Sequence, residues 1–236
     1  MLTLDQKVEI RPLYDLESGT WTYLVIERET KQAILIDPVI ENLERDINLI
    51  NELNLTLVYT METHMHADHV TSAGKMRTRL KSESLVPESA GIQCASNILT
   101  NDSILTLGDI HIKVIQTPGH TPCSTSYLLN NSHIFTGDTL LIRGCGRTDF
   151  QGGSADELYD SVTNKIFTLD DHISVLPGHD YKGMVTSTIG EEKKFNPRIA
   201  NKTKSEFINI MNSLNLPKPK KIDFAVIANQ SCGETL

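Results

Sequence analysis

The apolar positions predict an alternation of strands and helices along the whole chain. Trp21-Thr-Tyr-Leu-Val-Ile-Glu27 and Gln32-Ala-Ile-Leu-Ile-Asp37 are β-rich runs separated by a polar turn. Leu43, Ile47 and Ile50 recur at helical spacing within residues 41–53. Leu55-Thr-Leu-Val-Tyr-Thr60 reads as a buried strand running straight into a polar segment, and residues 70–80 read as a helix. Short strands follow over 103–107, 110–116, 125–129 and 133–136, with Gly, Asn or Pro turns between them. Residues 154–167 read as a helix with a capping box, Ser154 as N-cap and Glu157 three residues on. A strand over 172–176 and a polar helix over 189–214 come next. Pro217 and Pro219 then break the pattern before Ile222-Asp-Phe-Ala-Val-Ile227.

The order of elements in the first half resembles that in the second. Two sheets with helices outside them would bury these strands on both faces, which accounts for their near-continuous apolar runs. The chain has 236 residues, 39% of them apolar and spread along its length. That suits a single domain over residues 1–236 with a sizeable core.

Charge and cysteine usage narrow the partners. A formal net charge of −8 disfavours nucleic acid and anionic membrane. The densest basic run, Lys218, Lys220 and Lys221, is short, broken by proline, and reads as a solvated loop. No run approaches the roughly 20 apolar residues that span a bilayer. The first residues lack the character of a secretory or organellar signal, so a cytoplasmic location is expected. Cys94, Cys123, Cys145 and Cys232 form no CxxC pair, and reduced thiols are expected for all four. A homodimer is compatible with the sequence, which does not set the oligomeric state.

The chemistry is concentrated in His64-Met-His66-Ala-Asp68-His69. In an extended segment His64 and His66 share a face, and a turn after them brings Asp68 and His69 back. Four ligand-type side chains in six residues at the end of an apolar strand are costly unless something binds them. Three more ligand-type residues sit at strand-to-loop junctions, each directly after a glycine: His120 in Thr117-Pro-Gly-His, Asp138 in Phe135-Thr-Gly-Asp, and His179 in Leu176-Pro-Gly-His. His111, His133 and His172 lack this context and read as surface or strand residues. Imidazoles and carboxylates suit Zn, Fe or Mn, and the inventory does not choose among them.

The order His-x-His-x-Asp-His, Pro-Gly-His, Gly-Asp, Gly-His resembles the metallo-β-lactamase superfamily. The resemblance implies an α+β four-layer αββα sandwich, the metallo-β-lactamase fold, with a metal site at one edge. Phe135-Thr-Gly-Asp-Thr-Leu-Leu-Ile-Arg-Gly-Cys-Gly-Arg-Thr-Asp-Phe-Gln151 is similar to the persulfide dioxygenases of that superfamily. So are His179-Asp-Tyr-Lys-Gly183, Ser187-Thr-Ile-Gly-Glu-Glu192, Asn196-Pro-Arg198 and the tail from Leu216 to Val226.

This second resemblance covers residues 8–233. It implies one Fe(II) per chain held by His64, His120 and Asp138, with His66, Asp68, His69 and His179 orienting the ligands by hydrogen bonds. The implied reaction oxidises glutathione persulfide, or a related low-molecular-weight persulfide, with O2 and water to sulfite and thiol. Arg147 would organise the substrate pocket, either on substrate carboxylates or by fixing its own loop through Asp149. Tyr181 would donate a hydrogen bond at the metal, and Arg198 would bind a substrate carboxylate. Cys145 reads as a close-packed small residue beside Asp138. Cys123 departs from the glycine usual in relatives. The rival reading is a zinc thioesterase of the hydroxyacylglutathione hydrolase type, which shares the ligands and a glutathione-derived substrate.

Overall fold

The computed structural model describes residues 2–3, 7–218 and 221–234. Pro219 and Lys220, noted above as a breaker and part of a basic run, lie outside the described residues. The chain divides into two compact units. One comprises Met1–Leu99, Leu105–His111 and Lys218–Leu236; the other comprises Thr100–Ile104 and Ile112–Pro217.

The first unit holds a mixed sheet of seven strands in chain order: β1 (Leu2–Thr3), β2 (Val8–Tyr14), β3 (Trp21–Glu27), β4 (Gln32–Ile36), β5 (Thr56–Met61), β6 (Glu83–Pro87) and β7 (Asn97–Leu99). Strands β1 to β4 pair antiparallel, and β4 to β7 pair parallel. Parallel neighbours need crossovers. Helix α1 (Leu43–Glu52) joins β4 to β5, and α2 (Ala73–Leu80) joins β5 to β6. Alternate residues of β3 and β4 (Leu24, Ile26, Ala33, Leu35) pack on Ile47 and Ile50 of α1 and Met76 of α2. The period of two on the strands thus meets the helical spacing read from the sequence.

A second mixed sheet has six strands. In chain order these are β8 (Ile104–Leu107), β9 (Ile110–Gln116), β10 (Thr125–Leu129), β11 (His133–Gly137), β12 (Ser174–Pro177) and β13 (Ser187–Thr188), and they lie in the sheet in that same sequence from one edge to the other. Strands β10 to β13 and most of β9 belong to the second unit. Strands β11 and β12 are parallel, with α3 (Ala155–Ser161) in the connection, continued by a π-helical turn over Val162–Ile166. Leu158, Val162 and Ile166 of this segment pack with Ile134 of β11, Val175 of β12 and Phe207. Ser154 caps α3 by accepting from the Glu157 N–H. The fully reciprocal capping box is formed by Thr203 and Glu206.

The polar helix expected over 189–214 is two helices, α4 (Ile189–Phe195) and α5 (Lys204–Asn212). Pro197 forces extended backbone on Asn196, at φ −68° and ψ 113°, which ends α4. The segment after Pro217 forms α6 (Ile222–Gln230) in the first unit, with Ala225 and Ala228 against Val70 and Ile40.

One cysteine expectation is corrected. Cys94 and Cys232 form a disulfide, with Cα atoms 6.1 Å apart. The 138 residues between them conceal that proximity in the sequence. Cys123 and Cys145 are free and buried.

Candidate metal centre

In the first unit β4 and β5 run parallel with Ile36 opposite Met61, so the residues that follow them leave the sheet side by side. Asp37 follows β4, 1% exposed and at φ 51°, a conformation aspartate adopts more readily than most residues. Its Oδ1 accepts from the Thr63 N–H at 2.7 Å and lies 3.0 Å from His66 Nε2. Its Oδ2 accepts from the Thr63 hydroxyl at 2.8 Å. With that proton committed, the Thr63 oxygen accepts from His64 Nδ1, 2.9 Å away. His64 therefore carries its proton on Nδ1 and its lone pair on Nε2, the tautomer a metal ligand needs.

His66, Asp37 and Glu62 form a buried charged cluster. Burial opposes charging His66. The adjacent Asp37 carboxylate, with Glu62 behind it, outweighs that and holds the imidazole well above its ordinary value. Burial, above all, pushes the Glu62 carboxyl up. His69 Nδ1 lies 2.9 Å from Asp68 Oδ2 and 3.3 Å from the Thr20 hydroxyl. Among the described residues, His66 Nδ1 and His69 Nε2 are buried ring nitrogens with no hydrogen-bond partner. An ion or a water would satisfy them.

In the second unit β11 and β12 are also parallel neighbours, with Gly137 opposite Pro177. Asp138 and His179 leave their ends together, and His179 Nδ1 lies 2.7 Å from Asp138 Oδ1. Glycine is required for this approach, because a Cβ at Gly178 would stand 2.8 Å from that same oxygen. His120 sits in the turn after β9. Gly119 there has φ +136°, and a Cβ on it would meet the Leu158 backbone at 2.3 Å. His120 Nδ1 donates to the Arg147 carbonyl at 2.7 Å, so its lone pair too is on Nε2, which lies 3.6 Å from Asp138 Oδ2. Two donors at roughly 2 Å from one ion would be separated by about this much. The donor chemistry, the tautomers and the cradle all fit a bound metal.

Arg147 is bonded to its own loop. Its Nε and Nη2 donate to the Asp149 carboxylate at 2.7 and 2.8 Å, and its Nη1 donates to the Pro217 carbonyl at 2.6 Å. The guanidinium stacks 4.4 Å from the centre of the Phe150 ring. Its hydrogen bonds hold the Asp149 carboxyl below the usual range. Arg198 Nη1 donates to the Cys145 carbonyl at 2.5 Å, and the Gly146 N–H donates to the Asp138 carbonyl at 2.7 Å. The Cys145 thiol is buried 3.6 Å from Met211 Sδ, and burial pushes it up, as an inert packed residue requires. Tyr181 is 74% exposed, its ring nearly parallel to His179 at 6.0 Å between centres. Cys123 is not among the positive-φ residues, so a side chain is tolerated there.

Sequence reasoning missed Asp37 and Thr63. A single acid closing the apolar run 32–37 was the available signal, and it parallels Asp138 closing 133–137. His64 and its loop belong to the first unit; His120, Asp138 and His179 belong to the second.

The family model of the metallo-β-lactamase superfamily matches residues 16–89 and 96–179. The human mitochondrial persulfide dioxygenase ETHE1 is 48% identical over 226 residues, 95% of this chain and 88% of the human one. The crystal structure of ETHE1 from Myxococcus xanthus superimposes with a TM-score of 0.93 at 49% identity, covering 96% of this chain and all of the other. Glyoxylase B2 of Dictyostelium discoideum is more distant, 30% identical over 86% of this chain and 82% of its own length. The two mixed sheets with their helices are a metallo-β-lactamase fold, and the chain belongs to the persulfide dioxygenase family of that superfamily.

Proposed function

We propose that this enzyme is an iron-dependent persulfide dioxygenase, converting glutathione persulfide or a related low-molecular-weight persulfide, O2 and water to thiol and sulfite. The observation that carries the metal assignment is the division of Asp138, with one carboxylate oxygen on His179 and the other facing His120 Nε2. With His64 as third ligand the set is two histidines and one carboxylate, the arrangement of non-haem Fe(II) oxygenases. One Fe(II) bound there would supply open coordination positions and electrons for O2. We retain residues 1–236 as one functional domain.

The protein's own groups do the rest. Thr63 and the Arg147 carbonyl keep His64 and His120 in the ligating tautomer, and His179 fixes the rotation of Asp138. Arg147 organises the substrate side by tying its loop to Asp149 and Pro217. Tyr181 stands exposed beside His179, able to donate a hydrogen bond to the substrate, and Arg198 backs the Asp138 loop through Cys145. The persulfide and O2 are the expected partners, with a homodimer compatible. No helix among the described residues is long and apolar enough to cross a membrane. In the cytoplasm, the compartment we assign, reducing conditions would act on Cys94–Cys232.

The buried nitrogens of His66 and His69 favour a second reading, a dinuclear zinc thioesterase, since a second ion would satisfy both. Metal analysis of protein purified without added metal separates the two. The proposal expects about one iron per chain and O2 uptake matched to persulfide consumed. Two zincs, no O2 uptake and cleavage of S-lactoylglutathione would overturn it.

A further inference from the structure

The loop that carries His64, His66, Asp68 and His69 is gripped by one side chain from the far end of the chain. Asn229, near the end of α6, is 2% exposed. Its Oδ1 accepts from the Thr71 N–H at 2.8 Å. Its Nδ2 donates to the His66 carbonyl at 2.9 Å and to the His69 carbonyl at 3.0 Å. One acceptor and two donors on a short neutral side chain match one N–H and two carbonyls, a match that only an amide can make. Beside it the backbone is tied to the same region. The Gly74 N–H donates to the Cys232 carbonyl at 3.0 Å, and a Cβ on Gly233 would stand 2.2 Å from the Thr71 carbonyl oxygen.

We propose that Asn229 is a positioning residue for the metal site, setting the path of residues 66–71 and, through it, ligand His64. The route is continuous. Asn229 holds the His66 carbonyl, the His66 ring meets Asp37, Asp37 binds the Thr63 hydroxyl, and Thr63 meets His64 Nδ1. Removing Asn229 leaves one buried N–H and two buried carbonyls without this partner, and the loop must rearrange to satisfy them.

This inference rests on the metal reading above, and one experiment tests both. Iron(II) affinity by chelator competition is measured with the thermal midpoint for the wild type, Asn229→Ala, Asn229→Asp and a core control, Ile50→Ala. A wild type that takes up no iron refutes the metal reading by itself. Given binding, both Asn229 variants should weaken iron affinity 10- to 100-fold. Ile50→Ala should lower the midpoint yet keep affinity within twofold. Asn229→Asp is nearly isosteric but turns two donors into an acceptor facing two carbonyls, so it reads out hydrogen bonding rather than packing. Asn229 variants that hold iron within twofold of wild type overturn the inference. Should neither variant fold, exchange of the Thr71 amide in the wild type decides. Iron loading should slow it at least tenfold, and equal rates with and without iron refute the coupling.

Discussion

In the first unit β4 delivers Asp37, and the turn after its parallel neighbour β5 delivers His66. In the second unit β11 delivers Asp138, and its parallel neighbour β12 delivers His179. Both pairs arise from the same local geometry and close to similar distances, 3.0 and 2.7 Å. They differ in the second carboxylate oxygen. That of Asp37 is spent on the Thr63 hydroxyl, and the whole pair is 1% exposed. That of Asp138 lies toward His120 Nε2, with the side chain 13% exposed. A carboxylate with both oxygens consumed by buried donors acts as a brace, whereas one with an oxygen at ion-sharing distance from an imidazole is placed to take an ion, the role we propose for Asp138. Residue type does not separate the two cases; the partner of the second oxygen does.

The sharpest way to break this comparison is Asp138→Ala. Metal content should fall from about one iron per chain to near zero, and O2 uptake should be lost. Retained iron would remove Asp138 from the ligand set. Chemical reduction of Cys94–Cys232 opens a link whose two cysteines both lie in the first unit. The 138-residue separation sets a chain-entropy loss of up to about 5 kcal/mol, read as a lower denaturant midpoint. Asp37→Asn should cost about 3–5 kcal/mol of stability, since it breaks a buried charged pair from one side. If it instead left stability intact and removed only metal, the distinction between brace and ligand would be lost.

His179→Ala tests the orienting role in the second unit. Iron affinity should weaken 10- to 100-fold, with a small change in thermal midpoint. The smallest effect is expected for Arg147→Ala, below about 1 kcal/mol, because the Asp149 it pairs with is half exposed. The sign follows from the lowered Asp149 value. The pair contributes at neutral pH and is lost as pH falls through that value, so the variant should show a flatter acid limb of stability. A large rise in KM with unchanged stability would instead assign Arg147 to substrate contact.

Much of the fold was legible because strand and helix periods differ. Strands β3, β4, β9 and β10 fall on the residues their apolar runs predict. Strands β2, β6, β7 and β13 do not stand out in the apolar pattern; Pro12 and Pro87 interrupt two of them, and the other two are only two or three residues long. The pattern over 189–214 hides a break between two helices, because Pro197 extends the backbone at Asn196. At the site, the seven ligand-type residues stand out because histidines and glycines cluster at strand ends. Asp37 does not, being one acid among many. Asn229 is invisible in the sequence, since an amide near the end of a helix matches no motif and its partners lie 158 or more positions away. The Cys94–Cys232 pair was hidden by the same kind of distance.

The parallel strand ends also free the site from counting. Asp37 and His66 are 29 positions apart and Asp138 and His179 are 41, yet each pair brings an imidazole nitrogen to an aspartate Oδ1. The interval is the length of a crossover that passes through a helix packed on its own sheet, and doubling a loop costs only about 0.6 kcal/mol in closure entropy. Crossovers can therefore lengthen or shorten while the register of β4 with β5, and of β11 with β12, keeps each pair in place. A search for distant members of this architecture should hold fixed the residue that leaves each strand and let the interval between strands vary.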